Sequence, residues 1–187
     1  MADSRKRTAG FSLSEVMIAS ALGTIVMAGV MSSFLMLSRS GARLVNYNTV
    51  SVESRRALEE FGQDVRMASN VIWNGADSIT LTVPGNYTGS SNLVTYAYDD
   101  ATTGDTARSF YRVPGDGSAA SGQYILARNV TACTFSRFDR LNNPATANNT
   151  TKRIGLTMTI SASTGGTAAA TETTQSASFV LRNKPAT

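Results

Sequence analysis

The chain has 187 residues, 42% of them hydrophobic and 16% charged, with a formal net charge of +4. That leaves room for one membrane segment and one globular domain of ordinary size, and is too little charge to name nucleic acid as the partner. It contains no histidine and a single cysteine, Cys133, which excludes most transition-metal sites, the histidine-dependent catalytic pairs and any intrachain disulfide.

The chain opens with a short basic leader, Arg5, Lys6 and Arg7, set against the one acidic residue Asp3. From Val16 to Leu37 come 22 residues without a charge. As a helix this run spans about 33 Å at about 1.5 Å per residue, against a hydrocarbon layer of about 30 Å. It is long enough to cross a bilayer once, and no second stretch of this kind follows. Arg39, Arg43, Arg55 and Arg56 lie beyond it, but positive charge is denser before it, which favours a cytoplasmic N-terminus. A secretory signal peptide is the first competitor. The apolar run is too long for its core, and the "ASA" at Ala19 to Ala21 comes too early for its cleavage site.

Glu15 stands at the edge of this apolar run, and it has two readings. Ser12 and Glu15 have the S-x-x-E spacing of a capping box, in which each side chain satisfies a free amide at a helix start. Alternatively, a carboxylate inside an apolar layer needs a partner. If the chain were cut after Gly10, Phe11 would carry a new α-amine. Glu15 of one copy pairing with that amine on a staggered neighbour would reward a single axial register, because any other leaves a dry, unpaired charge.

The stretch "RKRTAGFSLSEVMIASALGTIVMAG" resembles the N-terminus of type IV prepilins and the related type II secretion pseudopilins. The shared features are the basic leader, Gly10 before the cut, the aromatic Phe11, Glu15 at the family's glutamate position and the apolar helix behind it. The resemblance implies cleavage between Gly10 and Phe11 by a prepilin peptidase at the inner membrane, N-methylation of Phe11, and an assembly role for Glu15. Many major pilins carry a proline partway along this helix, whereas the first proline here is Pro84. Gly23 and Gly29 are the only weak points, each costing about 1 kcal/mol relative to alanine. Many major pilins also close a C-terminal loop with a disulfide, which one cysteine cannot do. Both departures lean towards a minor pilin or pseudopilin.

Beyond the apolar run, Leu58, Phe61, Val65, Ala68 and Ile72 recur at helical spacing and predict an amphipathic continuation over 38–72. The pairs Arg55 with Glu59 and Arg56 with Glu60 are expected on its solvated side. "NGAD" at Asn74 to Asp77 breaks the helix. Strand patterns follow at "SITLTV", "LVTYAYD", "RSFYRV", "YILARNV", "CTFSRFD", "RIGLTMTIS" and "ASFVLRN", separated by polar turn-rich segments such as "STGGTAAATETT". In its "TACTF" setting Cys133 reads as a small buried hydrophobe. Strands in succession without crossover helices imply an antiparallel sheet, covered by the amphipathic helix.

The predicted fold is therefore α+β: leader 1–10, membrane or filament-core helix 11–37, helix continuation 38–72 and an antiparallel sheet domain 73–187. This layout is similar to the pilin architecture, and the C-terminal pattern looks like the minor pseudopilin J and PilW-like group. Asp99, Asp100, Asp105 and Asp116 lack the spacing of a calcium loop and read as turn residues. Downstream of Asp105 basic residues outnumber acidic ones nine to three, with Tyr111, Tyr124, Phe135 and Phe138 interspersed, so a nucleic-acid contact is the weaker partner reading. The sequon at Asn86 is expected by chance in loops this rich in Asn and Thr. No residue set supports catalysis, and no cofactor or metal is expected.

The resemblance implies a structural subunit of a type IV pilus or type II secretion pseudopilus, held by membrane lipid before assembly. Its partners would be prepilin peptidase, other pilin or pseudopilin subunits and the inner-membrane assembly machinery. It implies a single-pass inner-membrane location with a periplasmic C-terminal domain before assembly. The alternative is a filament-tip binding module contacting DNA, secreted protein or a surface.

Overall fold

The computed structural model describes residues 10–86, 92–118, 122–162 and 171–185. The chain divides into two units, Met1–Ala42 and Arg43–Thr187. Helix α1 runs from Leu13 to Met67. In the first unit every described residue but Ala42 is exposed, large apolar side chains included.

The second unit holds the rest of α1 and eight described strands in two antiparallel sheets. The five-stranded sheet is a meander of β1 (Asn70–Trp73), β2 (Ser78–Thr82), β3 (Leu93–Asp99), β4 (Ser109–Pro114) and β5 (Tyr124–Ala127), each beside the next. The second sheet has β6 (Val130–Phe138), β7 (Arg153–Ala162) and β8 (Thr171–Val180) in that order. Two backbone bonds stitch β6 to the five-stranded half: Val130 N–H to Arg108 O at 2.9 Å and Phe135 N–H to Ala76 O at 2.7 Å. The expected single sheet is thus two, and the helix lies under both.

Phe61 on α1 is the centre of the core. Its ring meets Tyr96 of β3 edge-on at 5.0 Å, Phe135 of β6 at 5.6 Å and Phe179 of β8 at 5.7 Å. Val50, Ala57 and Val65 extend this buried stripe along α1, against Ile79, Leu81 and Val94 on one side and Ile154, Leu156 and Met158 on the other. Helix and sheet approach closely at Gly62: a Cβ there would lie 2.5 Å from Phe179 Cε1. The alternating apolar positions of β2, β3 and β7 are buried because each strand turns one face to this helix.

The helix stops at Met67, short of the predicted 72. Ala68 N–H makes the last helical bond, to Asp64 O, and Ser69 N–H already bonds Thr82 O in the sheet. Ile72 sits on β1 opposite Thr80, 42% exposed, while its neighbour Val71 is buried. The step of four from Ala68 to Ile72 is even, so it fits the period of a strand as well as that of a helix, and the β-branched pair Val71-Ile72 favours the strand. The Asn183 side-chain amide donates to Met67 O at 3.0 Å, satisfying one of the carbonyls that a helix end leaves free.

Strand β8 begins at Thr171, six residues before the predicted "ASFVLRN". The polar "TETTQS" is strand because it pairs in unbroken register with β7 from Ala162 opposite Thr171 to Arg153 opposite Val180. Of the charge pairs expected on α1, Arg56 and Glu60 are redirected, while Arg55 and Glu59 are exposed. Glu60 bonds Arg112 of β4 at 2.7 Å, and Arg56 donates to the Tyr124 hydroxyl of β5 at 2.6 Å. Arg56 and Glu60 thus tie helix to sheet.

Candidate functional site

The N-terminal motif lies at the start of α1. Glycine is a poor helix former, and Gly10 stands outside the helix, as does Phe11, which is 88% exposed. Ser12 occupies the capping position. Glu15 N–H donates to Ser12 Oγ at 3.3 Å, and Glu15 Oε2 accepts from Ser12 N–H at 2.8 Å and from Ser12 Oγ at 2.9 Å. The reciprocal capping box is therefore formed in the single chain. All of it uses one carboxylate oxygen; Oε1 holds no hydrogen bond among the described residues. The cap and an outward contact through Oε1 are geometrically compatible.

Behind the box, Val16, Met17, Ile18, Leu22, Ile25 and Val26 are all more than half exposed, and the large apolar side chains continuing to Leu37 are exposed too. Among the described residues α1 is the one helix long and apolar enough to cross a membrane. The apolar side chains surround the helix instead of forming one stripe, as a lipid or a bundle of like helices requires. Arg5, Lys6 and Arg7 lie outside the described residues, as do Tyr87 and Thr88 of the sequon at Asn86.

The other candidates resolve as structure. Asp99 accepts from Ala101 N–H at 2.9 Å and Thr106 Oγ1 at 2.7 Å, and Asp116 accepts from Ser118 N–H at 3.0 Å; both are turn braces. No group of three metal-ligating side chains is found among the described residues. Cys133 is buried, and burial, with a lesser contribution from Asp77, pushes its thiol up to about 12. Of the interspersed aromatics, Phe135 is core, Phe138 and Tyr111 are half-buried, and Tyr124 is exposed but held by Arg56 and by Arg112 over its ring.

Among the buried polar groups that escaped the sequence reading, Asp64 lies in the helix–sheet seam and is hydrogen-bonded there. Asp64 faces inward from α1, accepting from Tyr96 Oη at 2.7 Å and Asn86 Nδ2 at 3.2 Å. Its signal was present: Asp64 lies three residues after Phe61 and seven after Ala57, on the buried stripe.

Residues 5–31 match the family model of the prokaryotic N-terminal methylation motif. With the apolar helix that it opens, this match supports the type IV prepilin and pseudopilin family and indicates a structural subunit anchored in a membrane before assembly. No curated protein matches the chain.

Proposed function

We propose that the chain is a minor pilin or pseudopilin: a prepilin-like subunit cut after Gly10, methylated on the new amine of Phe11, and built through α1 into a type IV pilus or type II secretion pseudopilus. The observation that carries this reading is the methylation motif at residues 5–31 opening directly into the apolar helix. Leader 1–10 stays cytoplasmic with Arg5, Lys6 and Arg7, residues 11–37 cross the inner membrane, and the sheet domain lies in the periplasm. A prepilin peptidase acts first, and the assembly machinery then moves the helix from lipid into the filament core among other subunits.

Transfer from lipid to a bundle of like helices keeps the apolar surface away from water throughout, so the helix needs no refolding. Register comes from Glu15. In the dry filament core its carboxylate, free at Oε1, accepts from the amine of Phe11 on a neighbouring subunit, and any other stagger strands a charge at a cost of several kcal/mol. The experiment is recovery of the chain in sheared-filament fractions from cells with and without prepilin peptidase. The chain is expected there only when the peptidase is present. Its confinement to membranes in both cells would contradict the reading.

A further inference from the structure

The outward face of the five-stranded sheet carries a cleft of about 530 Å³, within the range of small-molecule sites. Its origin is a run of small side chains. Cross-strand rows place Ser78 beside Ala97 beside Tyr111, and Thr80 beside Thr95 beside Val113. Ala97 is too small to fill the space between its neighbours, so a trough runs along the Tyr111 ring.

The turn after β4 closes one end and is built to hold its place. Gly115 N–H bonds Leu93 O at 2.8 Å, Thr95 Oγ1 donates to Gly115 O at 2.9 Å, and Thr95 in turn meets Thr80 Oγ1 at 2.8 Å. Gly117 has φ +87°, and a Cβ there would lie 3.0 Å from Thr95 Cγ2, so only glycine lets the turn sit this low. The floor is thus preorganised before any ligand arrives.

The groups left over define the ligand. The Asp77 carboxylate, the Tyr111 hydroxyl and the Gln123 amide line the cleft and hold no hydrogen bond among the described residues, and Asp116 adds a second carboxylate. Among the described residues no lysine or arginine lines it. Two carboxylates without a cation repel phosphate and carboxylate ligands. They accept hydrogen bonds from hydroxyl groups, and charge-assisted ones are the stronger kind. The half-buried Tyr111 ring offers a negative π face to the weakly positive C–H face of a sugar ring. Burial and then the Asp99 charge push the Tyr111 hydroxyl upward, so it remains a neutral donor.

We propose that this cleft, with Asp77, Tyr111 and Gln123 as its polar contacts, binds a saccharide unit that carries no negative charge. The inference does not rest on the filament reading, and either can fail alone.

The test uses the full chain in a zwitterionic detergent without a sugar headgroup, titrated calorimetrically with oligomers of N-acetylglucosamine, glucose and mannose, and with oligogalacturonate as the acidic comparison. At least one uncharged oligomer is expected to bind, with oligogalacturonate bound at least about tenfold more weakly. Tyr111→Ala and Asp77→Asn should each weaken the uncharged ligand by about tenfold or more, with Tyr124→Ala unchanged. Circular dichroism matching the parent confirms that the variants fold. No binding by any uncharged oligomer, equal binding of oligogalacturonate, or binding unchanged in both cleft variants would overturn the proposal. So would a lysine-rich peptide that binds tighter than every saccharide and is lost in Asp77→Asn, which would make the cleft a protein-docking site.

Discussion

Glu15 caps α1 through one oxygen, the proposed contact with a neighbour uses the other, and a substitution can separate the two. In the single chain Oε2 closes the capping box with Ser12 while Oε1 stays open. Glutamine retains one acceptor oxygen and completes a capping box, but it carries no charge to pair with an amine. Glu15→Gln is therefore expected to insert and to be cut after Gly10 as the parent is, yet to fall several-fold in sheared-filament fractions. Equal incorporation would leave Glu15 a helix cap and nothing more. Cys133 makes a second prediction at this scale. The thiolate is the reactive form, and the folded chain holds the thiol proton up to about 12. Iodoacetamide at about pH 8 should leave native Cys133 unlabelled and label it fully in urea. The folded state binds this proton more tightly than the unfolded chain does. Its stabilising contribution is full below the ordinary value of 9.0 and is lost as pH rises from there towards about 12.

At the scale of elements, the seam between α1 and the sheets governs stability. Phe61 touches rings from both sheets, so Phe61→Ala removes one of the contacts that join them and should cost about 3–5 kcal/mol. Gly62→Ala tests the close approach. Alanine gains about 1 kcal/mol in a helix but drives a methyl into Phe179, and overpacking costs about 1–3 kcal/mol. Urea unfolding of the full chain in detergent should show a lower midpoint for Gly62→Ala. Gly75→Ala, whose added Cβ meets nothing within 4 Å, should leave it within about 0.5 kcal/mol of the parent.

The same elements show what a sequence makes visible. Strands β3 and β7 are legible because the face turned to α1 carries the large apolar side chains and the other carries polar or small ones, so Val94 with Tyr96, and Ile154 with Leu156, stand out at period two, although Thr95 and Gly155 between them are buried too. The start of β8 is not legible. Thr171 to Ser176 contain no apolar residue, and they are strand through backbone pairing and hydroxyl contacts such as Thr159 with Thr174 at 2.8 Å. Strand β1 is masked by the even spacing that lets Ile72 pass for a helical position. The N-terminal motif reads whole because it is linear. The cleft cannot be read that way: it arises from Ala97 standing beside Tyr111 across a strand pair, and no local pattern records that pairing.

At the scale of the whole molecule, the two units answer to different environments. Residues 11–42 present apolar surface that water disfavours, while the unit from Arg43 onward packs its own core around Phe61. A chain so divided needs lipid or like helices around its first unit. The claim that joins the two units is that the leader is removed between Gly10 and Phe11, exposing the amine with which Glu15 of a neighbour pairs. The direct measurement is the intact mass and N-terminal sequence of the full chain co-expressed with a prepilin peptidase. The account predicts a product that begins at Phe11 and carries one added methyl group on its amine. A chain left whole, or one that begins after Ala21, would contradict it.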